Sequence, residues 1–217
     1  DVQVKMLRTL PGLRHCEVMR LGYAIEYDCI DPTALERTLG VRAVPGLYTA
    51  GQINGTSGYE EAAAQGLLAG INAALYCKNE EPFTLGRDEA YLGVLVDDLS
   101  VKGTPEPYRM MTSRCEYRLL LRQDNADERL TEKALRTGLI ANERYDRLMQ
   151  KRERIQKALA SLDKTVPPNE ALKQLLEEKG ESVPGSGVRL FDLLKRQNIA
   201  YTDLLRVFES LSPLDWE

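Results

Sequence analysis

The sequence predicts an α/β unit followed by a mainly helical module, and three observations carry that prediction. Gly46 to Leu75, GLYTAGQINGTSGYEEAAAQGLLAGINAAL, runs as a strand, a glycine-rich turn and a long helix of small residues. Tyr23, Ile25 and Tyr27 alternate with Ala24, Glu26 and Asp28, the period-two pattern of a strand with one buried face. From Tyr117 onward the pattern becomes helical, with apolar residues recurring at spacings of three and four. Strands interleaved with helices, then helices alone, give helix-on-sheet packing first and helix-on-helix packing after it.

In chain order, Val2 to Leu10 carries helical spacing and stops at the turn signal Pro11-Gly12. Glu17 to Ile30 reads as two strands joined near Leu21-Gly22. Asp31-Pro32 opens a short helix to about Thr38, and Val44-Pro45-Gly46 resets the chain into a strand at Leu47, Tyr48 and Thr49. Gly51, Gly55 and Gly58 then punctuate a turn that calls for backbone free of Cβ atoms. Ser57, followed three residues later by Glu60, matches a capping box and predicts a helix starting near Ser57.

Within that helix Gly66, Gly70 and Ala74 repeat every four residues, so one face is expected to lie almost backbone-to-backbone against a sheet. In a membrane the same spacing would drive dimerisation, but Glu60, Glu61, Gln65 and Asn72 interrupt any apolar run. A helix N-terminus presents N–H groups and a positive dipole end, which suit a phosphate or an electron-rich ring. The glycine pattern alone is equally that of a tightly packed crossover with no ligand.

Further on, the polar stretch Lys78 to Phe83 carries the chain away from the packed part, and Glu89 to Leu99 suits a helix. Gly103, Pro105 and Pro107 mark a break. Asp124-Asn125-Ala126-Asp127 reads as a turn and helix cap; two carboxylates are too few for a metal site, and no metal is expected. Asn142 is placed to cap a helix to about Leu162, with Tyr145, Leu148, Arg152, Ile155, Leu159 and Leu162 in one mostly apolar stripe. Pro167-Pro168 ends that helix. Shorter helices follow at about Asn169 to Lys179, Leu190 to Gln197 and Thr202 to Leu211.

The 217 residues are 43% hydrophobic and 29% charged, enough apolar content for one large or two smaller cores. No run is long and apolar enough to span a membrane, and Lys5, Arg8 and Arg14 interrupt any signal-peptide pattern. The four cysteines, Cys16, Cys29, Cys77 and Cys115, form no CxxC pair, which argues against zinc and needs no disulfide framework. Cys29 and Cys77 are expected as core thiols from their apolar company. Cys115 lies beside Arg114 but lacks a base for nucleophilic chemistry. His15 is the single histidine and reads as structural.

The formal net charge of −4 gives no global attraction for nucleic acid, so any RNA contact depends on a local patch. Val101 to Arg122 supplies one: Lys102, Arg109, Arg114, Arg118 and Arg122 against Glu106 and Glu116, locally +3. Arg114, Arg118 and Arg122 are four residues apart and would line one helix face, with Tyr108 and Tyr117 interleaved to stack on a base. From charge alone the segment reads first as a solvated face paired with Glu116, Asp124 and Asp127.

Two long blocks resemble one family. AGQINGTSGYEEAAAQGLLAGINAA closely resembles the final strand–turn–helix of the FAD domain in the tRNA uridine 5-carboxymethylaminomethyl modification enzymes, MnmG (GidA). DEAYLGVLVDDLSVKGTPEPYRMMTSRCEYRLLLRQDNADERLT, Asp88 to Thr131, is similar to the same family's downstream signature. The chain departs from it at Met111, where an aromatic is more usual, and at Cys115, where a small residue is. The resemblance implies that 1–77 is the C-terminal part of an FAD-binding Rossmann-like α/β domain. Residues 78–130 would be a connecting segment carrying the arginine motif, and 131–217 a truncated helical domain.

What the resemblance implies about function is FAD-dependent modification at C5 of the wobble uridine. NADH would serve as reductant and methylenetetrahydrofolate as carbon donor, with tRNA and the GTPase MnmE as partners, in a cytoplasmic homodimer. Gly51, Gln52, Asn54, Thr56, Ser57 and Gly58 would bind the cofactor, with Gln52 against the flavin. Lys102, Arg109, Arg114, Arg118 and Arg122 would bind tRNA. No catalytic nucleophile is assigned. The chain lacks the amino-terminal GxGxxG-type loop of this FAD fold and stops at Trp216-Glu217 ahead of the last helices, so it is expected to be a fragment inactive alone. Two alternatives stay open: a folate- and FAD-dependent tRNA uridine methyltransferase similar to TrmFO, and a non-enzymatic RNA- or partner-binding module.

Overall fold

Helix α1 (Val2–Arg8) forms where the spacing predicts it, with none of its residues buried. The Gln3 amide donates to the Gly22 carbonyl and accepts from the Gly22 N–H, both at 2.8 Å, and so ties the 17–30 stretch to α1. That stretch forms no strand, contrary to expectation, and Met19, Tyr23 and Ile25 are exposed. The alternation in 23–28 is a strand's pattern, but a strand exists only when its N–H and C=O groups find a ladder. The described residues of the computed structural model, 1–214, offer this stretch none. The expected strand at Leu47–Thr49 likewise reduces to one isolated bridge, Gly40 with Tyr48. The expectations placed on Trp216-Glu217 lie outside the described residues.

The chain divides into two units at Gln123/Asp124. In the first, the Asp31 carboxylate accepts from the Thr33 N–H and hydroxyl, and Pro32 supplies a preset φ. The result is a 3-10 turn, Pro32–Ala34, shorter than the helix expected there. Helix α2 (Tyr59–Lys78) starts after Gly58 rather than at Ser57 and ends at Asn79, whose φ of +54° makes a left-handed cap. Helix α3 (Tyr91–Asp97) passes into a π-helical turn, Asp98–Lys102, and stops at Gly103 with φ +68°. Gly93 of α3 lies so close to the Gly86 carbonyl that no Cβ could be accommodated. The core joins Leu35, Leu39, Leu68, Leu95, Val96, Leu99 and Tyr108.

Helix α2 turns its small-residue face outward, the reverse of the expectation. Gly66, Gly70 and Ala74 are exposed, and a Cβ at either glycine would touch nothing. Inside lie Glu61, Gln65, Leu68, Ala69, Asn72 and Leu75. Two amides win that face because each replaces backbone partners. The Asn72 side chain donates to the Phe83 carbonyl at 2.9 Å and accepts from the Phe83 N–H at 2.7 Å, holding the segment after α2 against it.

The second unit contains α4 (Ala126–Arg136) and α5 (Asn142–Leu162), followed by β1 (Thr165–Val166), α6 (Glu170–Glu178), β2 (Val188–Arg189), α7 (Leu190–Leu194) and α8 (Tyr201–Val207). Asn125 precedes α4 as its cap residue, as predicted. Asn142 is the first residue of α5 rather than its cap, which falls at Ala141. Asn169 caps α6, its Oδ1 accepting from the Leu172 N–H at 2.8 Å. β1 and β2 pair antiparallel, Thr165 opposite Arg189 and Val166 opposite Val188. Leu162, Leu172, Leu176, Leu190, Leu193 and Leu204 centre the core. Ile155 and Leu159 of the predicted stripe are exposed; Ala158 is buried with Leu148 and Leu162 instead. α8 is shorter than predicted, ending four residues before Leu211, although Leu211 still reaches the core.

Candidate functional site

The glycine turn is built by one buried side chain that the sequence did not single out. Gln65, fully buried on α2, accepts from the Gly51 N–H at 3.3 Å and from Asn54 Nδ2 at 2.8 Å. It donates to Thr56 Oγ1 at 2.9 Å and to the Glu61 carbonyl at 3.1 Å. Thr56 in turn donates to the Gly51 carbonyl, closing the turn on itself. Gly51 and Gly55 have φ of +86° and +87°, so both positions favour glycine on conformational grounds. The structure thus brings Gly51, Asn54, Thr56, Ser57 and Gly58 together in one loop, with Gln52 exposed on its outside.

The expected capping box is not formed. The Ser57 hydroxyl points at the Tyr108 carbonyl, 3.4 Å away, and no side chain caps α2. Glu61 is turned inward and accepts from the Met110 N–H at 2.7 Å. A Cβ on Gly58 would overlap the Glu61 carboxylate, which explains glycine at that position. The first turn of α2 therefore keeps N–H groups that no side chain caps. Thr49 Oγ1 and Asn54 Oδ1 are buried with no hydrogen-bond partner among the described residues. The uncapped N–H groups of α2 fit an electron-rich ring held at a helix N-terminus.

The arginine segment meets this turn directly. The Tyr108 N–H donates to the Gly55 carbonyl at 2.7 Å, the Ser57 N–H donates to the Tyr108 carbonyl at 3.0 Å, and Thr56 and Tyr108 form a parallel bridge. The two blocks singled out in the sequence are thereby laced backbone to backbone. Beyond Tyr108 the segment is not the predicted helix. A 3-10 turn at Thr112–Arg114 and a turn at 116–120 replace it, so Arg114, Arg118 and Arg122 do not line a helix face. Arg109, Arg114, Arg118 and Arg122 are all exposed. Lys102, on the π-helical turn, is paired with Asp98 at 2.7 Å.

Tyr108 cannot stack on a base, because it is 1% exposed. Its hydroxyl donates to Asp98 Oδ2 at 2.8 Å, and the Arg114 guanidinium lies over its ring at 4.4 Å. Tyr117 remains exposed. Cys115 is buried, whereas Cys29 and Cys77 are exposed rather than core thiols.

A second organiser, Arg87, also escaped the sequence reading. Its guanidinium grips Glu116 through two bonds of 2.7 and 2.8 Å, reaches Asp98 at 2.7 Å and Asp97 at 3.2 Å, and donates to the Arg114 carbonyl at 3.2 Å. Glu116 thus serves Arg87 and not the exposed arginines. The Arg87 fork holds the Glu116 carboxyl down at about 2. Burial pushes Asp98 up, but bonds from Lys102, Arg87 and Tyr108 outweigh it and leave Asp98 below the usual carboxylate range. Burial, reinforced by the Asp98 charge, raises the Tyr108 phenol above its ordinary value.

Comparison with known proteins matches both units. Residues 1–81 fit the family described as glucose inhibited division protein A, and 142–217 fit the C-terminal helical domain of the tRNA modifying enzyme MnmG/GidA. The chain is 55% identical to the tRNA uridine 5-carboxymethylaminomethyl modification enzyme MnmG of Caldicellulosiruptor saccharolyticus over 95% of its length and 33% of that protein's. The identity is also 55% with the MnmG of Alkaliphilus metalliredigens, covering 97% of this chain and 33% of the relative. The structure resembles Aquifex aeolicus GidA in its form II crystal with a TM-score of 0.64 at 42% identity, covering 85% of this chain and 34% of the other. The chain spans about a third of the length of the relatives it matches, and across that span it belongs to the MnmG/GidA family.

Proposed function

We propose that the complete protein is an FAD-dependent tRNA modification enzyme that installs a carboxymethylaminomethyl or aminomethyl group at C5 of the wobble uridine. In this proposal NADH is the reductant, methylenetetrahydrofolate the carbon donor, the GTPase MnmE the partner, and the enzyme a cytoplasmic homodimer. Residues 1–77 complete a Rossmann-like FAD domain, 78–130 carry the tRNA-facing arginines, and 131–217 belong to the helical domain. The single observation that carries the proposal is the lacing of the glycine turn to the arginine segment through Gly55, Thr56 and Tyr108. It puts a helix N-terminus suited to a flavin beside exposed arginines suited to phosphates.

Bound FAD would supply the redox and carbon-transfer chemistry. The chain's own residues would do the rest. Gly51, Gln52, Asn54, Thr56, Ser57 and Gly58 hold the ring, and the first-turn N–H groups of α2 stabilise negative charge near it. Arg109, Arg114, Arg118 and Arg122, with Lys102 beside them, position the RNA backbone, while Arg87 and Asp98 fix the loop that carries them. The test is mass spectrometry of nucleosides from tRNA of cells lacking the complete gene. Loss of wobble carboxymethylaminomethyluridine is the expected result. Loss of T-loop 5-methyluridine would move the protein to the TrmFO-like methyltransferases, and no change in either would leave only the binding module.

A further inference from the structure

A hollow of about 410 Å³ lies between α4 and α5 in the second unit, lined by none of the cofactor- or tRNA-binding residues proposed above. Arg144, Arg147, Lys151 and Arg154 line it from α5, Asp127 and Thr131 from α4, and Leu148 forms its buried floor. The four basic residues follow spacings of three, four and three, so they fall in one row along the helix. Asp127 and Thr131 stand one turn apart on the facing helix. Asp127 pairs with Lys151 at 2.6 Å, and the neighbouring Arg152 turns away to Glu128, also at 2.6 Å.

Like charges in such a row repel one another, and a helix carrying them is stabilised by an anion placed among them. Asp127 supplies one negative charge. Neither Arg144 nor Arg147 is paired with a carboxylate among the described residues; Arg147 makes only a long bond to the Glu143 carbonyl of its own helix. Both are exposed at the rim, while Leu148 closes the floor. A concave, positively charged wall with planar donors at the rim is the chemistry of a phosphate site.

The geometry points to this hollow as a second RNA-backbone site, in which Arg144 and Arg147 take a phosphodiester of the bound tRNA while Lys151 stays with Asp127. The inference rests on the tRNA substrate proposed above and adds a contact on the helical unit. Arg144→Ala/Arg147→Ala in the complete protein tests it by tRNA binding across a salt series. Both side chains are on the surface, and Arg144→Lys/Arg147→Lys controls for charge without the fork. Losing the one phosphate that the two arginines neutralise makes the plot of log affinity against log salt shallower by about 0.7–0.9. The lysine pair is expected to recover most of that slope.

An unchanged slope and affinity in the alanine pair, with tRNA still bound by the unsubstituted protein, would overturn the inference. Titration with inorganic phosphate separates the other source of the same chemistry. Phosphate that saturates the hollow, as read from the arginine side-chain resonances, while the alanine pair binds tRNA normally, makes this a small-anion site and removes the RNA assignment. A complete protein that binds no tRNA at all removes the functional proposal itself.

Discussion

Gln65 shows how a residue that reads as an interruption can set a turn's geometry. In the sequence it is a polar break in a run of small residues; in the structure it is fully buried with four hydrogen bonds to the turn and its own helix. Gln65→Leu keeps the approximate volume and removes every bond, leaving the Gly51 N–H buried without a partner. That costs about 1–3 kcal/mol, read as a lower denaturant midpoint, and the turn is expected to lose flavin in the complete protein. Unchanged stability would show that the turn stands without its amide. At Glu116 the prediction concerns pH. Its folded value of about 2 lies below the ordinary 4.5, so the contribution of its bond to Arg87 is fully present above pH 4.5 and is lost as pH falls toward 2. The stability gap between the native protein and Glu116→Gln is therefore expected to narrow between pH 5 and pH 2.5. A constant gap across that window would rule out the assigned pair. Neither Gln65 nor Arg87 was legible beforehand, because each acts on partners set by tertiary structure, 14 residues away for Gln65 with Gly51 and 29 for Arg87 with Glu116.

Among the elements, helices with a local cap or breaker were legible and extended segments were not. Asn169 announced α6, and Gly103 marked the end of the π-helical turn after α3. Asn169→Ala removes the bond to the Leu172 N–H and is expected to cost ~1 kcal/mol, measured by chemical denaturation followed through helical circular dichroism. A cost near zero would mean water replaces the cap. The arginine segment misled for a different reason. Its basic residues keep a helical period, but its buried residues, Cys115 and Leu121, are six apart and would leave a helix on different faces. Burial decides between the two patterns, so the chain folds as turns that place both side chains against Val94. At the start of α2 the packing is close: a Cβ on Gly58 would overlap the carboxylate of Glu61, the acceptor of the Met110 N–H, and force it to shift. Gly58→Val is therefore expected to empty the flavin site and to loosen the loop bearing Arg109. Flavin content and proteolysis within 109–122 report the two effects separately, and normal values for both would sink the proposed site.

For the chain as a whole, charge forces a choice between global and local electrostatics. With a net charge of −4 the overall field of the chain repels RNA, yet Lys102, Arg109, Arg114, Arg118 and Arg122 are all exposed within one segment of the first unit. At physiological salt the Debye length is about 8 Å, so carboxylates farther than that from a bound phosphate are largely screened. Two double variants of the complete protein separate the cases. Arg109→Ala/Arg118→Ala makes the chain more negative within the patch; Glu80→Gln/Glu209→Gln makes it less negative by the same amount at exposed positions outside it. If local contacts govern binding, the arginine pair makes the dependence of log tRNA affinity on log salt shallower by about 1.4–1.8, and the glutamate pair leaves both slope and affinity unchanged. Comparable and opposite shifts in affinity from the two variants, with parallel salt slopes, would instead mean that net charge controls the encounter and that these arginines touch no phosphate.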